Sequence, residues 1–88
     1  MPKTDLNLLA IYARVVETGS LSEAARRIGT SRSVVSKAVA RLEKSLGARL
    51  LQRTTRHLSL TEIGTAVAAH CSRMLEEAEQ VEQVVGSL

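Results

Sequence analysis

Cationic and hydroxyl side chains share one face of a predicted helix that begins near residue 32 of this 88-residue chain. Such side chains donate hydrogen bonds to base edges and phosphates, the contacts that a helix makes in the major groove of DNA. They are Arg32, Ser33, Ser36, Lys37, Arg41 and Lys44. The opposite face repeats apolar residues at steps of four, three and four, which predicts a buried stripe of Val35, Val39, Leu42 and Leu46.

Residues 21–40 have the spacing of a helix-turn-helix, which would position that basic face. Ala25 lies four residues before Gly29, and Val35 follows six residues later. A small residue lets two helix backbones approach, a glycine adopts the positive φ of a tight turn, and a branched apolar residue fills the crossing point. A charged helix face is most often only solvated. After such a turn, and with almost no acid on it, this face favours DNA binding.

Charge is segregated along the chain, which has twelve Lys and Arg against nine Asp and Glu. Up to Thr61 there are eleven bases and four acids, and from Glu62 onward there are one base and five acids. A basic first part followed by an acidic tail indicates a module that binds a polyanion, joined to a segment that must stay away from it.

Several classes of function fit the composition poorly. His57 and His70 are isolated, no Cys/His spacing suggests zinc, and the single cysteine, Cys71, cannot form an internal disulfide. We therefore expect no enzyme, metal or cofactor. Tyr12 is the only aromatic residue, which excludes base stacking on aromatic platforms. Without a signal peptide or a membrane-spanning apolar run, the chain is expected to be cytoplasmic, with no membrane partner.

The chain predicts four helices and a two-stranded wing, a mainly α winged helix-turn-helix followed by a long helix. Asp5 caps a first helix from Leu6 to about Thr18, which ends at Gly19 and turns Leu6, Leu9, Tyr12, Ala13 and Val16 inward. A capping box of Ser20 and Glu23 begins the second helix, Ser31 caps the third, and Gly47 ends the third. Residues 49–53 and 58–60 form the wing strands, and Thr61 caps a final helix to about Val85. We expect a head over residues 1–61 and a linker helix over residues 62–88, in one structural domain.

The final helix carries a heptad seam, which predicts a homodimer. Its residues follow one another at alternating steps of four and three: Val67, Cys71, Met74, Ala78, Val81, Val85 and Leu88. The first turns are expected to pack on the first helix. Beyond about Met74 a second chain is the expected partner, because a helix of about 36 Å is too long to be buried on so small a head.

The run from Gly19 to Gly64 resembles the DNA-binding domain of LysR-type transcriptional regulators. The landmarks are GS-x-x-x-AA before the turn, Ser31 and Ser36, the LE of Leu42 and Glu43, LG-x-RL-x-x-R, and LTE-x-G. The resemblance implies sequence-specific binding of double-stranded DNA by a bacterial transcription regulator, with a homodimer through the linker helix and a possible tetramer of the full-length protein. It also implies that this chain is a fragment, since family members carry a larger effector-binding domain after that helix.

The same resemblance assigns DNA-facing residues. On the third helix these are Ser31, Arg32, Ser33, Ser36 and Lys37, and on the wing Arg56. Arg53 is ambiguous, since it could contact a phosphate or pair with an acid. Arg41 is added from its place on the basic face of the third helix. Departures from the family pattern affect site preference: Leu21 and Leu51 replace usual aromatics, and Ser31-Arg32-Ser33-Val34 replaces the usual Ser-Gln-Pro-Ala.

Two other functions remain open on the residues alone. A winged-helix module could dock an acidic protein through its basic face, and a chromosome-packaging protein could bind DNA without sequence preference. Ser33 and Ser36 weaken the second alternative, because short polar groups suit close approach to base edges. Steep salt dependence together with preference for one duplex would separate DNA recognition from protein docking.

Overall fold

The computed structural model describes residues 3–53 and 58–88, apart from the side chain of Arg53. Its elements are α1 (Leu6–Thr18), α2 (Leu21–Ile28), α3 (Arg32–Leu46), β1 (Leu51–Arg53), β2 (Leu58–Leu60) and α4 (Glu62–Ser87). The two strands pair antiparallel, with Leu51 opposite Leu60 and Gln52 opposite Ser59. The predicted mainly α winged helix-turn-helix with a long final helix is therefore confirmed.

Short polar side chains begin all four helices at the predicted positions. The side-chain oxygens of Asp5, Ser20, Ser31 and Thr61 each accept a hydrogen bond from a backbone N–H in the first turn. The capping box is realised only in part. The N–H of Glu23 donates to Ser20 Oγ over 3.1 Å, but the N–H of Ser20 donates to Thr18 Oγ1 over 3.4 Å. The carboxylate of Glu23 is held instead by Arg26 and Arg27.

An aliphatic core lies where α1 packs against the other three helices, and Tyr12 is its one aromatic member. Its largest fully buried side chains are Tyr12, Val15, Val35, Val39, Leu42, Leu50 and Leu51. The predicted stripe of α3 is buried except for Leu46, which is 39% exposed at the helix end. On α1 the prediction for Leu6 was wrong, because it is 46% exposed, whereas Leu8 and Val15 are buried. Since α1 contacts α2, α3 and α4, it buries more than one stripe.

The wing begins later than predicted, at Leu51 rather than at Arg49. The backbone N–H groups of Leu50 and Leu51 donate to the carboxylate of Glu43, over 2.8 and 3.2 Å, so the N–H of Leu50 is not available to extend the pairing with β2. The carbonyl of Leu50 accepts the N–H of Thr61 over 3.0 Å. These contacts fix the base of the wing between the end of α3 and the start of α4.

Tyr12 and Gly64 join α4 to the head. The Tyr12 hydroxyl donates to the Gly64 carbonyl over 2.8 Å in a buried contact. Gly64 lies close to Leu50, the residue before β1, so that a Cβ at Gly64 would come within 2.1 Å of the Leu50 carbonyl oxygen. Further along, Ala68 and Cys71 are buried. No helix within residues 3–53 and 58–88 is long and apolar enough to cross a membrane.

Candidate nucleic-acid interface

The turn between α2 and α3 determines where the exposed face of α3 begins. Gly29 has a positive φ of 87°, and the N–H groups of Gly29 and Thr30 both donate to the Ala25 carbonyl over 2.9 Å. Ala25 and Val35 are buried at the crossing of the two helices, with exposed fractions of 3% and 0%. The roles predicted for Ala25, Gly29 and Val35 are thus confirmed.

The first turn of α3 is open to solvent and contains no acidic residue. Ser31 has an extended backbone, and its Oγ accepts the N–H of Val34 over 3.2 Å. Ser31, Arg32 and Ser33 are exposed, and Ser36 is half-buried one turn later. The backbone N–H groups at a helix start carry partial positive charge, which favours a nearby anion. This end of α3 therefore combines the helix dipole, a guanidinium and hydroxyl donors.

Four cations of α3 keep their charge available for an external partner. Arg32, Lys37, Arg41 and Lys44 are exposed. Within residues 3–53 and 58–88, none of the four takes part in an ion pair. Helical spacing places Lys37 and Lys44 on one line of the surface, with Arg41 beside it.

The arginines of α1 and α2 have a different arrangement, because acids of the same chain pair with them. Arg27 lies 3.0 Å from Glu17 and 3.8 Å from Glu23, and Arg14 lies 3.3 Å from Glu17. Arg26 hydrogen-bonds to Glu23, which lowers the pKa of that carboxyl. The arginines of α1 and α2 are therefore partly neutralised within the chain, whereas the four cations of α3 have no acidic partner in residues 3–53 and 58–88.

Glu43 is the one acid of α3, and it faces the wing rather than the exposed basic surface. Its side chain is only 11% exposed. The carboxylate accepts the N–H groups of Leu50 and Leu51 and lies 3.9 Å from the Arg49 guanidinium. It therefore ties α3 to the wing without placing negative charge among the α3 cations.

Two predicted wing contacts fall partly or wholly outside the described residues. Arg56 is not among them, and neither is the side chain of Arg53. The backbone of Arg53 ends β1, opposite Leu58. Their roles in binding remain sequence-based expectations.

The family of the chain follows from comparison with known proteins. The model of a family described as bacterial regulatory helix-turn-helix protein, lysR family, matches residues 6–65. An HTH-type transcriptional regulator of Xanthomonas campestris pv. campestris is 48% identical over 84 residues. The chain belongs to the LysR family. The regulator CrgA of Neisseria meningitidis is also similar, with 45% identity over 80 residues.

This LysR-family chain is much shorter than those relatives. The matched residues are 96% of the chain but 24% of the Xanthomonas regulator, and 91% of the chain but 27% of CrgA. The chain therefore spans about a quarter of the length of the relatives it matches.

Two similar solved structures are DNA complexes of LysR DNA-binding domains. The BenM domain with catB site 1 DNA has a TM-score of 0.83 and 25% identity, covering 94% of this chain and 93% of that one. The CbnR domain in complex with DNA has a TM-score of 0.78 and 29% identity, covering 94% and 95%. The likeness therefore extends over nearly the whole of α1 to α4.

The predicted dimerisation residues divide into two groups along α4. Cys71 is buried in the core of its own chain, Val67 packs against that core, and Met74 is half-buried. Burial also raises the pKa of the Cys71 thiol. Ala78, Val81 and Val85 are exposed. Only the distal half of the seam is free for a second chain.

The roles of two residues of α3 were not predictable from their types and spacing alone. Glu43 is part of a family motif, and its place as a lone acid among cations is the signal that indicates a specific contact. Val34 stands out in the sequence only as a departure from the family pattern. This valine is 50% exposed in the first turn and lies outside the buried core.

Proposed function

We propose that this LysR-family chain binds double-stranded DNA of a particular sequence, with α3 in the major groove and the wing on the flanking backbone or minor groove. The observation that carries the proposal is the exposed basic face of α3. Its four cations have no ion-pair partner in the described part of the chain, and its one acid is bonded to the wing. The DNA complexes of the BenM and CbnR domains, which share this fold, support it.

The dimensions of α3 suit this placement. A helix of 15 residues is about 22 Å long and, with side chains, about 10–12 Å across. The major groove of B-form DNA is about 12 Å wide. The open first turn, which ends in N–H groups and hydroxyls rather than carboxylates, would lie nearest the base edges and phosphates. An acidic protein partner would also be attracted by the cations, but it would not require short hydroxyl donors at the helix start.

Arg32 is proposed to contribute sequence preference, and Lys37 mainly affinity. They are five residues apart, about 7.5 Å along the helix axis. A guanidinium can donate two hydrogen bonds to O6 and N7 of guanine, which discriminates against other bases by about 1–3 kcal/mol, whereas an ammonium supplies mainly a point charge. Arg32→Ala should relax preference at one base pair of the site. Lys37→Ala should lower affinity with a smaller change in preference.

The test of this division is binding of both variants to a panel of single-base variants of the preferred duplex. If Arg32→Ala weakens binding to every duplex by the same factor, Arg32 contacts only the backbone. Arg26→Ala, which removes an exposed arginine already paired with Glu23, is the matched control and should leave the panel unchanged.

Dimerisation is proposed to occur through the distal half of α4. Val81, Val84, Val85 and Leu88 are all more than half exposed. Their spacing places them on neighbouring positions of one helix face, which a second copy of α4 would cover. Two heads held in this way would present two α3 helices to successive major grooves.

The decisive experiment selects duplexes from a random pool with the 88-residue chain and then measures affinity across a salt titration. Each phosphate neutralised adds about −0.9 to the slope of log K against log salt. DNA recognition predicts a steep slope and a clear preference for the selected duplex over a scrambled one of the same composition. Equal binding to both duplexes, with tighter binding to an acidic polypeptide, would overturn the proposal in favour of protein docking.

A further inference from the structure

Val34 is an apolar residue at an exposed position in the first turn of α3. Half of its side chain is exposed, and its backbone N–H is fixed by the Ser31 hydroxyl. A valine lowers helix propensity relative to alanine, and Val34 does not belong to the buried core. The same β-branching holds its two methyl groups in one preferred rotamer in a helix. The position therefore presents a stiff apolar group to the solvent at the end of α3 that would enter the groove.

Helical geometry places Val34 on the side of α3 away from the wing. Glu43 marks the wing side, and it lies nine residues on, which at 100° per residue is half a turn around the helix. Lys37 and Arg41, three and seven residues on from Val34, share its side. Val34 therefore lies on the same side of α3 as Lys37 and Arg41, two exposed cations without an ion-pair partner in the described residues.

The chemistry of the major groove offers one apolar partner for such a group. Base edges there present donors and acceptors, and thymine alone adds a methyl group, at C5. The two cations would hold the neighbouring phosphates while Val34 faces the base edges. We propose that Val34 is a specificity-determining residue that reads a thymine through van der Waals contact with its 5-methyl group. This inference rests on the proposed function.

The test removes the methyl group from each side of the contact in turn. In the selected duplex, each thymine is replaced singly by deoxyuridine, which lacks the 5-methyl group and keeps the same hydrogen-bonding edge. The unmodified chain, Val34→Ala and Val34→Thr are titrated against every duplex. Ile63→Ala is the matched control, since it removes a comparably exposed apolar side chain in the first turn of another helix, α4.

At one thymine of each recognition site, deoxyuridine should weaken binding of the unmodified chain about fourfold, the effect of losing one methyl contact. For Val34→Ala, deoxyuridine at that position should not weaken binding. For Val34→Thr it should weaken binding by a smaller factor, because one methyl group remains. For Ile63→Ala it should weaken binding as much as for the unmodified chain. Equal deoxyuridine penalties for the unmodified chain and Val34→Ala at every position would overturn the inference. A selected site that lacks thymine would do the same.

Failure of the inference is distinguishable from failure of the proposed function. If the chain still prefers the selected duplex over the scrambled one, sequence-specific binding stands and only the role of Val34 is wrong. If no duplex is preferred, the proposed function fails, and the inference fails with it.

Discussion

Replacing Gly64 with alanine would test how α4 is fixed to the head. Gly64 is a helical residue without positive φ, so alanine suits its backbone. The obstacle is space, because the new Cβ would lie 2.1 Å from the Leu50 carbonyl oxygen and 3.0 Å from the Tyr12 hydroxyl. The first of these neighbours is backbone and cannot rotate away. α4 and Leu50, the residue before β1, would have to separate by roughly an ångström.

The cost of that separation can be worked from the contacts it disturbs. Overpacking a buried site costs about 1–3 kcal/mol. Two hydrogen bonds cross the same junction, from Tyr12 to Gly64 over 2.8 Å and from Thr61 to Leu50 over 3.0 Å, and each contributes about 0.5–1.5 kcal/mol. Alanine regains about 1 kcal/mol of helix propensity. We expect the free energy of unfolding to fall by about 2–3 kcal/mol, or Tm by roughly 10–20 °C for a domain of this size.

Thermal and urea unfolding followed by circular dichroism at one fixed protein concentration would measure this loss. Gly86→Ala is a matched control in the same helix, because a Cβ at Gly86 has nothing within 4 Å. It should leave stability unchanged or raise it slightly, by up to about 1 kcal/mol. If the two alanine variants shift stability equally, the close packing of Gly64 against Leu50 does not limit which side chain this position accepts.

Three further predictions concern the tail, the wing and the buried thiol. Val81→Glu should leave folding of the single chain intact, because Val81 is 64% exposed. It should shift sedimentation from dimer to monomer, because a charge buried between two α4 helices opposes their pairing. An unchanged mass would contradict the proposed contact, and Glu82→Gln is the control. Arg56→Ala should weaken binding to all duplexes alike and make the salt slope shallower by about one unit; unaltered affinity across the titration would remove the wing from the interface. Cys71 should react with a thiol reagent at pH 8 only as fast as the protein unfolds, because burial shields the thiol and raises its pKa. Reaction at the rate of a free thiol would show that α4 leaves the head.

Local chemistry explains why so much of the helical framework was predictable from the sequence. Asp5, Ser20, Ser31 and Thr61 satisfy backbone N–H groups of the turns that follow them. The glycines after α1, α2 and α3 adopt the positive φ that other residues avoid. Both signals depend on a few neighbouring residues, so helix ends and the exposed basic face of α3 could be predicted without knowledge of the packing.

Contacts between distant residues account for what the sequence did not reveal. The predicted stripe of α1 was incomplete because one helix that packs against three others buries several sides, including Leu8 and Val15. The start of β1 was misplaced because Glu43, seven residues before Leu50, binds the N–H groups there. The junction between Tyr12 and Gly64 joins residues 52 positions apart, and no periodicity indicates such a pair.

The hydrogen bond of Tyr12 has a spectroscopic consequence. Tyr12 is the only aromatic residue of the chain, so it is the only aromatic chromophore, and it lies where α1 meets α4. The pKa of its phenol is raised to about 12, mainly by burial, whereas tyrosine in an unfolded chain has a pKa near 10. Because the folded-state pKa is the higher one, this contribution to stability is complete below pH 10 and declines as pH rises toward 12, by up to about 1.4 kcal/mol per pH unit. Tyrosinate absorption that appears well below pH 12 in an alkaline titration therefore reports, without any attached dye, that Tyr12 has lost its buried environment between α1 and α4.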